Sequence, residues 1–339
     1  LLAVGLLLAA WPAKPAQAAC TLVKLFELPV TVSHGRALVP AQLDGADVMF
    51  MLDTGAELST LYPATVAKLG LSAHAIESNL QMSGIGGDTG LVSTTRAKAL
   101  NFGGRSIRDP EFAVSETETD DGSAGVMGQN MIANVDVEYD LANGVIRVLR
   151  PVGCGGAPLA YSAGGSADYS VIAIDSNSFT PPDLLLAEYG NTSIPHPHTA
   201  GHATLNGAKI TVLFDTGSPE SLVSLGAAAI GGVKISDPDV KPAGYISGVA
   251  NKSKTKAWIG RFASFKIGDE EIANTHILMT GDQHGSKFDM IIGMDFFMSH
   301  HVYVSNIQHK LYFTYNGGKV FDLTTTPNPP QPTPAAASQ

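Results

Sequence analysis

Cysteine is scarce in this chain: 339 residues contain two, Cys20 and Cys154. Two thiols are too few for a disulfide framework or a cysteine-built zinc site, and no metal or other cofactor is expected. Charge is scarce as well. Only 15% of residues are charged, and basic side chains are outnumbered 21 to 31 by acidic ones, a formal net charge of -10. Nucleic acids and anionic membranes are bound through basic patches, so neither is expected as a partner. Beyond the first residues there is no apolar run long enough to span a membrane, no glycine-rich phosphate loop, and no Ser-His or Cys-His nucleophile pattern.

What the chain does have is apolar bulk. Hydrophobic residues make up 44% of it, enough for a sizeable core, and its length allows two domains or one bilobal one. Residues 1–11 form a short apolar run that exits through Ala16-Gln17-Ala18. This reads as a secretory signal peptide over residues 1–18, truncated at its start. Export to the periplasm or the extracellular space is the expectation. Lipid anchoring at Cys20 ranks second, because Gln17 stands where such signals usually carry an aliphatic residue. In an exported protein Cys20 and Cys154 are candidates to pair, which the sequence leaves open.

The chain also repeats itself. Leu43-Asp44-Gly45-Ala46, an apolar strand and Asp53-Thr54-Gly55 recur as Leu205-Asn206-Gly207-Ala208, an apolar strand and Asp215-Thr216-Gly217. Each turn glycine precedes its aspartate by eight residues (53 − 45 and 215 − 207). Asp-Gly and Asn-Gly between apolar runs are hairpin signals. Further along come Ser83-Gly84-Ile85 and Ser247-Gly248-Val249, then Val126-Met127-Gly128 and Ile291-Ile292-Gly293, in the same order. The division expected is a first half over 21–150, a crossover over 151–194 containing one strand at 170–174, a second half over 195–320, and a Pro-rich disordered tail over 321–339. Short helices are expected at 63–69 and 225–230.

Each aspartate ends a fully apolar strand, where a lone carboxylate is costly unless something pairs with it. Two such carboxylates in duplicated halves point to a pair that meets at a pseudo-twofold axis. This arrangement resembles the retropepsin-like (clan AA type) aspartic proteases, in the bacterial secreted single-chain form with two tandem Asp-Thr-Gly halves. The resemblance implies an all-β fold of two β-barrel halves, of the pepsin-type acid protease kind, forming a single-chain pseudo-dimer. It implies an aspartic endopeptidase with Asp53 and Asp215 as the catalytic dyad. Thr54, Gly55, Thr216, Gly217 and Ser218 would support the active-site loops, with Thr54 and Thr216 bonding across the axis and Met127 and Ile292 packing behind. Ser83, Gly84, Ile85, Gly86, Ser247, Gly248 and Val249 fall where the family has substrate-binding flaps. The partner implied is an extended peptide or protein substrate, bound by a monomer.

Two carboxylates about 3 Å apart cannot both ionise cheaply, so they share a proton. Ser218 follows one Asp-Thr-Gly and Ala56 the other, and a hydroxyl directed at Asp215 would leave Asp53 as the protonated member. His196, His198 and His202 form a spaced cluster that reads as solvated linker rather than a metal site, and His300-His301 is read with the same restraint. The alternative function is a peptide-binding or scaffold protein on the same fold, without turnover.

Overall fold

The computed structural model describes residues 20–75, 81–84, 87–91, 93–115, 117–160, 168–175, 178–179, 194–195, 198–248, 254–281 and 287–323. The expected signal segment, the chain beyond Leu323, and the hairpin positions Ile85, Gly86 and Val249 lie outside them. The expected all-β architecture of two tandem halves is what forms. In each half the duplicated hairpin turns as its sequence requires. Asp44 and Gly45 have φ of 51° and 84°, and Asn206 and Gly207 have 49° and 82°. A two-residue turn with both φ positive matches the right-handed twist of the strands it joins, and Asp-Gly or Asn-Gly adopts it at little cost. The arms Arg36–Leu43 and Ala46–Leu52 pair antiparallel in one half, Ala200–Leu205 and Ala208–Phe214 in the other. Phe50 and Leu52, and then Val212 and Phe214, enter the core at 0–1% exposure. The period of two carries one apolar face of each strand inward.

The second half closes into a barrel. From Ala200–Leu205 the order runs through Ala208–Phe214, Met290–Ile292, Leu222–Ser224, Glu270–Thr280 and Thr255–Ile267, which pairs back onto Ala200–Leu205. The first half uses the same order but breaks the equivalents of the two longest strands. Thr255–Ile267 corresponds to Ser93–Arg96 plus Ala99–Phe102, and Glu270–Thr280 to Arg105–Arg108 plus Glu111–Val114. The second break falls at Asp109-Pro110, where Asp109 has φ of 52° and proline has no N–H for the ladder.

A six-stranded sheet joins the halves, in the order Thr21–Pro29, Val145–Val152, Asp136–Asp140, His300–Ser305, Lys310–Tyr315, Ser170–Ala173. Its centre is the pairing of Val137 with Val304 and Tyr139 with Val302, one strand from each half. Beneath it Tyr139 packs edge-on against Phe297 at 5.5 Å. One apolar core therefore runs through both halves, and their relative position is set by backbone hydrogen bonds and aromatic packing together. Ser170–Ala173, the strand expected in the crossover, is an edge of this sheet. Cys20 and Cys154 form a disulfide that fastens the other edge strand beside its neighbour. The expected helices form at Pro63–Lys68 and Leu225–Ile230. Phe321, assigned from sequence to the tail, is 1% exposed and packs against Phe265 at 5.0 Å, so the folded second half continues past residue 320.

Candidate active site

Asp53 and Asp215 leave the ends of Ala46–Leu52 and Ala208–Phe214 and meet at the seam, each carboxyl lying against the glycine of the opposite loop. A third strand in each half fixes where the loops start. Gly125–Met127 lies parallel to Ala46–Leu52, and the Asp53 N–H donates to the Met127 carbonyl at 3.1 Å. Met290–Ile292 repeats this, with Asp215 N–H donating to Ile292 at 2.9 Å.

The threonines lock the loops to each other. Thr54 N–H donates to Thr216 Oγ1 (3.2 Å) and Thr216 N–H to Thr54 Oγ1 (3.1 Å). Each hydroxyl donates onward across the seam, Thr54 to the Phe214 carbonyl (2.7 Å) and Thr216 to the Leu52 carbonyl (2.6 Å). Both side chains are fully buried, where an unmet polar group is costly. The glycines are there for space. A Cβ on Gly55 would stand 2.6 Å from Asp215 Cγ, and one on Gly217 2.5 Å from Asp53 Cγ. Each glycine is the floor on which the opposite carboxyl rests.

Burial pushes both carboxyls up from the ordinary carboxylate range, but unequally. For Asp53 it is opposed by the hydrogen bond from Asp215, by the amides of Gly55 (2.8 Å) and Ala56 (3.0 Å), and by the charge of Arg36. Asp215 is raised well above its usual value by burial and then by the charge and hydrogen bond of Asp53, with the amides of Gly217 (2.8 Å) and Ser218 in partial opposition. Of the two carboxyls, Asp215 is the one held further above its usual range. The contact expected of Ser218, a hydroxyl directed at Asp215, does not form. The Ser218 hydroxyl donates instead to the Glu220 carbonyl at 2.8 Å, inside its own loop. Backbone amides reach both carboxyls, from Gly55 and Ala56 on one side and from Gly217 and Ser218 on the other.

A further layer escaped sequence reading. Ser59 Oγ receives the Gly128 N–H (3.0 Å) and donates to Asn130 Oδ1 (2.7 Å). Ser221 Oγ receives the Gly293 N–H (2.8 Å) and donates to Asp295 Oδ1 (2.6 Å). These serines tie each loop to the short helix behind it, Gln129–Ile132 or Met294–Ser299. The signal was present as a serine six residues after each aspartate (59 − 53 and 221 − 215). Burial raises the Asp295 carboxyl, and burial with the Asp295 charge raises Glu220.

Ser83 and Gly84 end one arm of the hairpin Gln81–Gly84/Gly87–Leu91, and Gly84 pairs with Gly87. Ser247 and Gly248 follow Lys241–Ile246, which pairs with the start of Thr255–Ile267. The histidines expected as a linker cluster separate. His196 lies outside the described residues, His202 is exposed on its strand, and His198 Nε2 sits 2.9 Å from Glu57 Oε1 across the seam. His198 is thus an inter-half contact, not linker. Far from the dyad in sequence, Glu138, Asp140 and His301 come close enough together to hold a cation. Arg147 already fills that role, with Nη1 3.0 Å from Glu138 and 3.4 Å from Asp140. The cluster is an ion-pair network within the shared sheet.

The profile of the aspartyl protease family matches residues 39–131 and again 202–296. Among solved structures, an aspartic proteinase from Irpex lacteus aligns with a TM-score of 0.47 at 12% identity, over 91% of this chain and 100% of that one. Basic 7S globulin from soybean aligns with a TM-score of 0.43 at 8% identity, over 87% and 95%. No curated protein matches by sequence. At such identities neither structure assigns a role to any residue here. The tandem profile match covers more than half of the chain, and each copy contains one of the two Asp-Thr-Gly loops that meet at the seam: the chain belongs to the aspartyl protease family.

Proposed function

We propose that the protein is an aspartic endopeptidase in which Asp53 and Asp215 hydrolyse peptide bonds through an activated water. The observation that carries this reading is the meeting of the two carboxyls at the seam, each lying against the glycine of the opposite loop and both loops locked by Thr54 and Thr216. Burial and the neighbouring charge then drive their affinities for the proton apart. That is the condition for one group to act as base and the other as acid. Asp53, the ionised member in this reading, takes a proton from a water bound between the carboxyls. Asp215, still protonated, donates a hydrogen bond to the peptide carbonyl oxygen as negative charge develops there. The tetrahedral intermediate then collapses as the proton gained by Asp53 passes to the leaving amine. No covalent intermediate is required. The threonine lock keeps both carboxyls in place through the cycle, so that little reorganisation accompanies the chemistry.

Substrate is proposed to bind as an extended strand beneath the segments that carry Ser83-Gly84 and Ser247-Gly248, where the resemblance places the flaps. Main-chain hydrogen bonds would hold it, and alternate side chains would enter pockets. Both loops come from one chain, which supports action as a monomer. The disulfide between Cys20 and Cys154 supports an oxidising compartment, hence export. It also occupies the thiol that lipid anchoring would need. The test is digestion of a peptide library by the wild type beside Asp53→Asn and Asp215→Asn. Each variant is expected to lose about 10²–10⁴-fold in kcat/KM, the usual worth of a general acid or base. A wild type that cuts nothing, or a variant that cuts equally well, would leave a peptide-binding protein as the better account.

A further inference from the structure

Each half presents a basic residue seventeen positions before its loop aspartate, Arg36 before Asp53 and His198 before Asp215 (53 − 36 and 215 − 198). Both cross the seam, but to unlike partners. His198 reaches Glu57, the fourth residue after Asp53. The fourth residue after Asp215 is Pro219, which has no carboxylate to offer. Arg36 Nε donates instead to the carbonyl oxygen of Gly217, at 3.1 Å.

Gly217 is a sensitive place to hold. Its N–H is given to Asp215 Oδ1, and its Cα lies against the Asp53 carboxyl, leaving no room for a methyl group. A guanidinium anchored there is within electrostatic reach of Asp53, and also of Asp121 on the loop ahead of Gly125–Met127. An arginine keeps its charge at any working pH. Beside a buried acid pair, a fixed cation favours the ionised form of the nearer member.

We propose that Arg36 is a positioning residue for the dyad: it clamps the second Asp-Thr-Gly loop through Gly217 and fixes the negative charge on Asp53, leaving the proton on Asp215. The proposal rests on the dyad being the peptide-cleaving centre. It would give a duplicated, nearly symmetric pair a fixed division of labour. The other ionisable groups around the dyad do not supply this bias. Tyr62, 4% exposed and bonded to Thr119 at 3.0 Å, and Asp121 lie on the first-half side. Burial opposes the ionisation of Asp121, but the amide and hydroxyl of Ser123 hold it charged, so it adds negative charge rather than positive. Glu220 and Asp295 stand behind the second loop as further acids. Glu57 and His198 pair at the opposite rim. Among these described groups, Arg36 is the one with permanent positive charge.

The experiment compares Arg36→Met and Arg36→Lys with wild type, using two readouts. The first is the pH profile of kcat/KM on a peptide that wild type cleaves. The second is the titration of the aspartate carboxyls in the resting full-length protein, followed by ¹³C NMR. Arg36→Met should move the acidic limb upward by about 1 pH unit, at the low end of what a nearby opposite charge produces. The lower dyad titration should move with it. Arg36→Lys should keep the limb near its wild-type position while lowering kcat, because lysine keeps the charge and loses the Nε anchor. Should Arg36→Met not fold, the lysine variant decides: a limb displaced as far as the loss of charge predicts overturns the proposal. A reduced kcat in Arg36→Met with limb and titration unmoved also overturns it. Absence of cleavage by wild type would refute the protease reading, whereas the carboxyl titration would still decide the role of Arg36.

Discussion

Thr54 and Thr216 hold one another across the seam, each giving its backbone N–H to the other's hydroxyl. Because each hydroxyl also donates to a carbonyl of the opposite half, four hydrogen bonds depend on two side chains. Thr216→Val keeps the shape but orphans the Thr54 N–H and the Leu52 carbonyl. Leaving two buried polar groups unmet should cost about 2–4 kcal/mol, read as a lower urea midpoint, together with a fall in kcat. Thr216→Ser should recover most of both. Equal behaviour of the valine and serine variants would mean that the lock is ornamental.

Gly55→Ala tests the close approach. The new methyl would stand 2.6 Å from Asp215 Cγ, well inside van der Waals contact, so one carboxyl must move. Misplacement of catalytic groups by about 1 Å typically costs about 10²-fold. Activity should therefore fall at least that far while the far-ultraviolet circular dichroism stays native. Gly45→Ala is the control for backbone effects alone. Its φ is 84°, so alanine is strained there, but no atom lies within 4 Å of the added methyl. It should lower stability and spare kcat.

Stability should rise on mild acidification. Burial raises the carboxyls of Asp53, Asp215, Asp136, Glu220 and Asp295. A raised acid binds its proton more tightly folded than unfolded. Its contribution is complete below the unfolded value, 3.8 for Asp and 4.5 for Glu, and is lost as pH climbs through the folded value. Asp121 runs the other way, its stabilisation fading as pH falls through its lowered value. Glu27, lowered by its hydrogen bonds with Lys24 and Arg147, runs the same way as Asp121 but is exposed. Five groups raised by burial against these two, with the net charge of -10 shrinking at the same time, favour the acidic side. The Tm should be higher at pH 5 than at pH 7.5 by a few degrees, about 2–4 °C for each kcal/mol gained. Asp215→Asn should flatten the slope, since it removes the most strongly raised group. A Tm that falls between pH 7.5 and 5 would contradict the burial argument.

The duplication was legible because it is written in residues with narrow conformational uses. Asp44-Gly45 and Asn206-Gly207 admit few turns besides the one they make, and Gly55 and Gly217 mark a close approach. Thr54 and Thr216 came from the family resemblance, and the structure places them across the axis as that resemblance implied. The layers behind the loops were illegible for a different reason. Ser59 with Asn130, and Ser221 with Asp295, act over 71 and 74 residues of chain, and their residue types suit any loop. The joining sheet was hidden as well, since an apolar strand does not announce its partner. Val137 meets Val304 only because the two halves are already related by the pseudo-twofold axis.

Ser218 shows how a correct observation can misplace a hydrogen bond. The residue after each Asp-Thr-Gly does differ between the halves, and a hydroxyl next to a carboxylate would favour its ionised form. Three residues from Asp215 the hydroxyl has two acceptors within reach, however, and the loop turns it toward the Glu220 carbonyl at 2.8 Å. What the dyad receives from each of these positions is a backbone amide, and Ala56 supplies one to Asp53 as readily as any residue. Ser218→Ala should therefore leave the acidic limb of the pH profile where it is. It should cost about 1 kcal/mol of stability for the lost hydrogen bond, measured by urea unfolding. An acidic limb that moves upward in Ser218→Ala would return the ionised carboxylate to Asp215, and Arg36 could no longer be what sets the asymmetry.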